Sequence, residues 1–367
     1  MSRHILFVSH SVEWVGPTQS LLLLAAGLQA EFEISVLVPG RGQFSEELDR
    51  NGIRYLSLPS LSKWAVPSIT RMIRRESVDL VYGNNTRSPS RVGFVAASLA
   101  GRPFVCHVRS MEWQTSWARL GYLRLAKAVI AVSRACAGSV ARFVSPDRVH
   151  VVYNGVRLGD YAADDERGRN SLRAELGLTD NTLLLASVSH LSQRKGQEHS
   201  IGAMAQILQA LPDAHLCLIG RTDRDPAYVD RLRESARDAN LSSHVHFLGF
   251  RDDVSRVLQE ADVFVHTAAA DPHPRAVVEA MAARLPVVAF AVDGVEETVV
   301  DGVTGHLVEA GNRSALAAAV LDLLTSPETR SRMGTAGRDR AERCFSADAT
   351  TRQVRHIITD VIGGSSR

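Results

Sequence analysis

The sequence predicts an α/β protein built from two doubly wound parallel sheets, each covered by crossover helices. Three observations carry that prediction. Short β-branched runs alternate with helical stretches along most of the chain, the pattern of parallel strands joined by crossovers. The rhythm breaks once, at Tyr161–Asn181, where a polar, charge-rich stretch has little β-branched content. At 367 residues, with 45% hydrophobic and 22% charged content, the chain is too long for one ordinary domain and rich enough for two cores.

Taken in order, the first series of candidate strands is Ile5–Ser9, Ile34–Pro39, Arg54–Leu58, Leu80–Tyr82, Phe104–Val108, Ala128–Val132 and Val149–Tyr153. The opening apolar run, Ile5–Val8, is short and lacks a cleavage-site pattern, so it reads as a first strand rather than a signal peptide, and a cytoplasmic protein is expected. The loop Ser9–Ser20 leads into an apolar helix over Leu21–Leu28. An Asn154-Gly155 turn marks the exit from the first domain. The second series is Leu183–Val188, His215–Ile219, Val245–Leu248, Val263–His266, Pro286–Phe290 and Gly305–Val308, with a helix over Gln197–Leu211. A helical tail, Ala347–Ile362, ends in a flexible Gly363–Ser366. The expected division is 1–160, 161–346 and a terminal helix 347–367 that crosses back to the first domain. Two such sheets facing a central cleft place their ligand-binding loops at the carboxyl ends of the strands.

Composition excludes several classes. Formal charge is +2, so the whole chain gives no argument for nucleic acid as a partner. That balance conceals a split, however. Residues 1–160 hold 19 Lys and Arg against 11 Asp and Glu, or +8, and the remainder holds 23 against 29, or −6. An anionic acceptor or an anionic membrane surface would therefore meet the first domain. The four cysteines are scattered without a CxxC pair, which argues against a zinc knuckle or a dithiol site. The longest apolar windows, Leu21–Leu28 and Ala276–Ala283, fall far short of the ~20 residues that span a bilayer. There is no GxSxG, and no GxGxxG follows either first strand, which disfavours a serine hydrolase and a dinucleotide-dependent oxidoreductase.

The strongest motif runs from Asp271 through Pro272, His273, Pro274, Arg275 and Ala276 to Glu279. It consists of two acids separated by seven residues across a loop-to-helix transition. Pro272 and Pro274 keep the loop non-helical, and the helix is expected to start near Arg275. Free N–H groups and the dipole at a helix start suit a diphosphate, while carboxylates suit sugar hydroxyls. A second motif, Ser187–Gly196, carries His190, Arg194 and Lys195 off the end of a strand. Cations there would balance the charge on a nucleoside diphosphate leaving group.

Together these motifs resemble the retaining glycosyltransferases of family 4 (glycosyl transferases group 1), whose architecture, termed GT-B, is two Rossmann-like domains facing a cleft. The resemblance extends over nearly the whole chain and is strongest from Ser187 to Leu307. It implies that Asp271 lies against the donor sugar, that Glu279 holds the nucleotide ribose, and that amides of His273, Arg275 or Ala276 contact sugar and phosphate. Lys195-Gly196 match the family's phosphate clamp, but His190 stands where the family has arginine, so Arg194 is the candidate to compensate. Asp271 is one methylene shorter than the family's usual glutamate, and Pro274 replaces a frequent glycine. Gly16 fits a loop glycine that lets the backbone approach the diphosphate, although Pro17 replaces its partner. His107 matches a histidine that reaches the donor sugar, and nearby Arg109 and Glu112 could form an ion pair. Phe250 and Arg251 would lie beside the base, and the segments Gly294–Thr298 and Val303–Leu307 would close beneath the nucleotide.

The implied activity is transfer of a sugar from a nucleotide-diphosphate sugar to an acceptor hydroxyl on a glycan, a lipid-linked molecule or a natural product. No metal or other cofactor is expected. Asp223-Arg224-Asp225 could in principle hold Mg2+, but Asp225-Pro226 reads as a helix start. Asp271, His107 and Lys195 are the expected catalytic set. A non-catalytic partner of the same fold and a sugar-nucleotide epimerase are the alternatives. The acceptor should belong to the first domain, which holds Trp14, Trp64, Trp113 and Trp117. There the basic, amphipathic Trp117–Lys127 reads as a helix that could touch an anionic membrane.

Overall fold

A computed structural model describes residues 2–161 and 171–364. The chain forms two compact units, one of Met1–Val156 with Phe345–Arg367 and the other of Arg157–Cys344. Residues 162–170 of the polar stretch Tyr161–Asn181, and the end of the tail beyond Gly364, lie outside the described residues.

The first unit is a seven-stranded parallel sheet: β1 (Arg3–Val8), β2 (Phe32–Pro39), β3 (Arg54–Leu58), β4 (Leu80–Gly83), β5 (Phe104–Val108), β6 (Ala128–Ala131) and β7 (Val149–Val151), in the order 3-2-1-4-5-6-7. Each expected strand is present within two residues at either end. Strand β1 shows why the runs are apolar throughout rather than alternating: both faces of a parallel sheet are covered. Leu6 and Val8 join one buried cluster with Val81, Cys106 and Val129, while Ile5 and Phe7 join the opposite one with Ile34, Tyr82 and Ile130.

The second cluster also receives the carboxyl-terminal helix. Ala347–Gly364 buries Val354, Ile358 and Ile362 with Leu21, Leu24 and Leu28 of the helix Gly16–Leu28. Its helical bonding continues through Gly363 and Gly364, so those two residues are not the flexible end expected. The chain's exit and return are stitched together, Val156 N–H donating to Phe345 O at 2.9 Å and Ala347 N–H donating to Val156 O at 2.9 Å. The expected helix over Trp117–Lys127 is shorter than its amphipathic pattern suggests. It is a single α-turn, Trp117–Leu120, followed by a 3-10 segment, Gly121–Leu125. Glycine at 121 weakens the helix at that point.

The second unit has six parallel strands: β8 (Leu183–Val188), β9 (Ala214–Ile219), β10 (Val245–Gly249), β11 (Val263–His266), β12 (Val287–Phe290) and β13 (Gly305–Val308), in the order 10-9-8-11-12-13. Leu185, Leu216, Val263, Val265 and Val288 pack beneath Ile201, Met204 and Ile207 of the helix Gln197–Ala210 and Leu316, Val320 and Leu323 of the helix Arg313–Thr325. In both sheets the strand order reverses once, between β1 and β4 and between β8 and β11. Loops leaving the carboxyl ends of those pairs diverge to opposite faces and leave a crevice, where open α/β sheets hold ligands.

Candidate active site

The crevice at β8 and β11 gathers both strong motifs. From β8 the chain runs through His190 and Arg194 to Lys195, and from β11 it runs to Asp271. Lys195 Nζ donates to Asp271 Oδ2 at 2.5 Å, and both side chains are nearly buried. His266, the polar residue that closes an otherwise apolar strand, places Nε2 3.4 Å from the same oxygen. Burial by itself would push the Asp271 carboxyl up, but Lys195 and His266 more than offset it and hold the group well below the usual carboxylate range. Asp271 is thus an anion with its charge already paired.

Two glycines make the approach possible. Gly196 sits at φ +64°, and a Cβ there would lie 2.2 Å from Thr267 O. Only glycine lets the two loops meet so closely. Gly294 donates its N–H to Asp271 O at 3.0 Å, and a Cβ on it would lie 1.9 Å from Pro272 O. Arg194 O accepts from Ala269 N–H at 3.0 Å, tying the loops together again, while its side chain is exposed. Buried Gln197 braces the first loop by donating Nε2 to Ser189 Oγ at 2.8 Å. His190 is half-buried, and burial, followed by Lys195 and Arg194, lowers its pKa to about 4. It is therefore neutral at physiological pH, and the permanent charge of this loop comes from Lys195 and Arg194.

The acidic motif's helix is Arg275–Ala282, with Pro274 at its N-cap. Val277 and Val278 N–H both donate to Pro274 O, and the N–H groups of Arg275 and Ala276 precede the first helical bond. His273 lies buried beside them. Glu279 is one turn in, where Oε1 accepts from Arg275 Nη2 at 2.9 Å. It also faces the Tyr161 hydroxyl, which burial and the Glu279 charge push well up. Arg275 keeps Nε and Nη1 buried with no partner among the described residues.

The remaining expected residues of this unit divide. Phe250 is 51% exposed at the end of β10, an open ring face. Arg251 is held by Asp253 through two bonds of 2.8 Å and by Glu175 at 2.8 and 2.9 Å, so its guanidinium is taken up structurally. The carboxylates of the Asp-Arg-Asp stretch face apart. Asp223 pairs with Arg221 at 2.7 Å, and Asp225 caps the helix Pro226–Asp238 by accepting from Tyr228 N–H. Among the described residues no group of three or more His, Cys, Asp or Glu converges as a metal site would need.

In the first unit, His107 closes β5 and is almost fully buried. Its Nδ1 lies 2.7 Å from the Tyr82 hydroxyl and 3.1 Å from Arg109 Nη2. Arginine can only donate, so Nδ1 accepts and the proton sits on Nε2. Burial, then Arg109, keeps this ring neutral. Nε2 is a buried donor with no partner among the described residues. Arg109 is not turned to Glu112 as an ion pair would require. It reaches Asn84 at 2.8 Å and Asn154 at 2.6 Å, while Glu112 accepts from Ser110 at 2.7 Å, Thr115 at 2.6 Å and Thr86. Gly16 opens the helix Gly16–Leu28, and a Cβ there would meet nothing within 4 Å, so its backbone is open to a ligand. His10, in the loop after β1, has its pKa lowered to about 4 by burial, Arg87 and Arg109.

Sequence reasoning missed His266 and Tyr161. The first was detectable as the one polar side chain ending Val263–His266. The second carries no motif, because it reaches Glu279 only through the fold.

Comparison with known proteins agrees with this fold. Residues 168–340 match the family model described as glycosyl transferases group 1, and residues 15–160 match Glycosyltransferase Family 4. The alpha-maltose-1-phosphate synthase of Mycolicibacterium smegmatis is 30% identical over 303 residues, covering 75% of this chain and 77% of that protein. A GDP-mannose-dependent alpha-(1-6)-phosphatidylinositol monomannoside mannosyltransferase of the same species is 28% identical over 349 residues, covering 88% and 89%. Anabaena HepE, crystallised in complex with UDP and glucose, superposes with a TM-score of 0.88 at 25% identity, covering 98% of this chain and all of that one. Two Rossmann-like parallel-sheet units, both family models and these relatives together establish that the chain belongs to the GT-B glycosyltransferases of group 1, family 4.

Proposed function

We propose that the protein is a retaining, metal-independent hexosyltransferase that takes its sugar from a nucleotide-diphosphate donor. The observation that carries this reading is the buried Lys195–Asp271 pair at the β8/β11 switch point, flanked by two helix starts. In this reading the second unit holds the donor and the first unit binds the acceptor. The diphosphate lies against Lys195, Arg194 and the amides of Arg275 and Ala276. Glu279 receives the ribose diol once its bonds to Arg275 and Tyr161 are shared, Phe250 offers a face to the base, and the His107 Nε2–H is offered to a sugar hydroxyl.

A lysine ammonium has three N–H groups, and Asp271 engages one of them. The others remain to balance the negative charge that builds on the departing phosphate, an effect worth about 10^2–10^3 in kcat for a single such donor. Asp271, an anion already paired with Lys195, positions that cation and need not act as a nucleophile. The acceptor hydroxyl attacks the anomeric carbon on the face the diphosphate leaves, and a phosphate oxygen takes its proton. Every bond made is then matched by one broken without an enzyme-linked intermediate.

The test is turnover of a panel of nucleotide-diphosphate sugars with candidate acceptors in excess chelator, with the anomeric configuration of the product read by NMR. Retention and undiminished activity are expected. Inversion, or loss of activity that Mg2+ restores, would remove the corresponding part of the reading. Release of no nucleoside diphosphate from any donor would point to a non-catalytic partner, and interconversion of the sugar without acceptor to an epimerase.

A further inference from the structure

Among the described residues, four other than glycine adopt a left-handed backbone: Ser77 at φ +51°, Asn240 at +57°, Arg284 at +61° and Asp293 at +43°. Three of them end helices. Ser77 follows Val66–Arg75, Asn240 follows Pro226–Asp238 and Arg284 follows Arg275–Ala282. At each, the residue's own N–H and that of its successor donate back to the last turn, to Arg74 and Ile73, to Arg237 and Ala236, and to Met281 and Ala280. That pairing is the usual way a helix stops, and it explains the backbone there. Asp293 has no such explanation. It lies between β12 and the short helix Val295–Thr298, so it stops no helix. The left-handed region is unfavourable for a residue with a Cβ.

What surrounds Asp293 accounts for it instead. Its carboxyl accepts a hydrogen bond from the Asp271 N–H. The next residue, Gly294, donates its own N–H to Asp271 O at 3.0 Å, and a Cβ there would lie 1.9 Å from Pro272 O. Two consecutive residues of one turn therefore take both main-chain polar groups of Asp271. Pro272 has no N–H with which to share that task. The turn is closed by Val295 N–H, which donates to Val292 O at 2.9 Å. Asp293 also bears an electrostatic penalty: it is half-buried, and burial together with the Asp271 charge pushes its carboxyl above the ordinary range. A residue disfavoured in both backbone and charge persists only where its surroundings over-determine it, and such residues gather at functional sites.

We infer that Asp293 is a positioning residue, which holds the Asp271 main chain so that the Asp271 carboxylate is presented to Lys195. It acts through Asp271 and need not touch donor or acceptor. Asp271 Oδ2 meets Lys195 Nζ at 2.5 Å and His266 Nε2 at 3.4 Å. Only χ1 and χ2 separate that oxygen from the main chain, so drift of the backbone at 271 passes directly to the ion pair. The effect on catalysis rests on the proposed transfer reaction, in which Lys195 meets the departing phosphate. The hold on Asp271 does not.

Asp293→Gly and Asp293→Asn separate the carboxyl from the backbone. Glycine adopts the left-handed conformation without penalty, so Asp293→Gly keeps the path of the turn and loses the acceptor. Asparagine tolerates that conformation and retains a side-chain carbonyl that accepts from the Asp271 N–H. In turnover of nucleotide-diphosphate sugars, Asp293→Gly should lower kcat about ten-fold with the donor KM within about two-fold, and Asp293→Asn should return kcat to within about three-fold of the native value. A second measurement needs no turnover: the double-mutant cycle of Lys195→Ala and Asp271→Asn in urea, repeated on the Asp293→Gly background. The coupling, expressed as a ratio of unfolding constants, should be about ten-fold smaller there. Native coupling on that background, native kcat in Asp293→Gly, or an Asp293→Asn no better than Asp293→Gly would overturn the inference. If the native protein turns over no donor, the transfer reading fails and the coupling alone decides the inference.

Discussion

Removing Lys195 should reverse the way this region's stability depends on pH. In the native protein the Asp271 carboxyl is held well below its ordinary range, so its pairing contributes stability above the unfolded value near 3.9, and that contribution is lost as pH falls further. In Lys195→Ala the burial that opposes ionisation persists, His266 and His190 are both pushed toward the neutral form by burial, and Asp293 adds a like charge nearby. The carboxyl must then rise above its ordinary value. Its variant is weakest at pH 7, where a buried, unpaired carboxylate is charged, and recovers as pH falls through the raised value. The side chains are 13% and 9% exposed and 2.5 Å apart, so the cost at pH 7 belongs to the class of a broken buried pair, about 3–5 kcal/mol. Asp271→Asn added to Lys195→Ala removes the stranded charge and should recover most of that loss. Urea unfolding of the four proteins at pH 7 and pH 5 measures both effects, with an expected coupling of about 2 kcal/mol or more at pH 7. A coupling within about 0.5 kcal/mol of zero, or equal deficits at the two pH values, would refute the reasoning.

Three further outcomes follow from the same geometry. Lys195→Ala, folded at low temperature, should lose about 10^2–10^3 in kcat for sugar transfer, and near-normal turnover would remove Lys195 from the chemistry. Glu279→Gln should weaken nucleoside diphosphate binding in calorimetry about ten-fold, as loss of a charge-assisted hydrogen bond does. Unchanged affinity would leave Glu279 as a partner of Arg275 and Tyr161 alone. Gly196→Ala should destabilise the second unit by about 1–3 kcal/mol, because the new methyl meets the Thr267 carbonyl in a left-handed conformation; an unshifted melting temperature would contradict the close approach of the two loops.

The strands were the most legible part of the sequence because parallel strands buried on both faces read as short, uninterrupted β-branched runs, and thirteen of them emerge in the expected places. The helix starts at Arg275 and Pro226 were equally plain, since proline fixes what precedes them. Trp117–Lys127 misled because amphipathic spacing is shared by a helix and by a turn-rich segment that happens to bury alternate groups. The roles of individual polar residues were less legible for a physical reason. Sequence spacing brings Lys195 and Asp271 to the same end of one sheet, but it does not say that they touch. Nor does it say that Arg251 is claimed by Asp253 and Glu175, or that Arg109 turns to Asn84 and Asn154 rather than to Glu112. Those choices are made by side chains far apart in sequence competing for the same few partners.

Two of the departures from the family pattern, His190 and Asp271, are linked through Lys195. An arginine at 190 would add a permanent cation beside the lysine, and a longer acid at 271 could extend past it. Here the neutral imidazole adds no charge, and the short carboxylate reaches no farther than Lys195 Nζ and His266 Nε2. The lysine and aspartate cancel, so without donor the local positive field rests on exposed Arg194 and the helix starts. A weaker field at this end of the sheet means less to desolvate, and Lys195 is already fixed in place by the bond that neutralises it. In the proposed reaction its stabilising effect would be exerted where negative charge grows beyond what Asp271 balances, at the phosphate as it leaves. Such an arrangement favours the transition state over the bound donor, which is the condition for a charge to raise kcat rather than merely tighten binding.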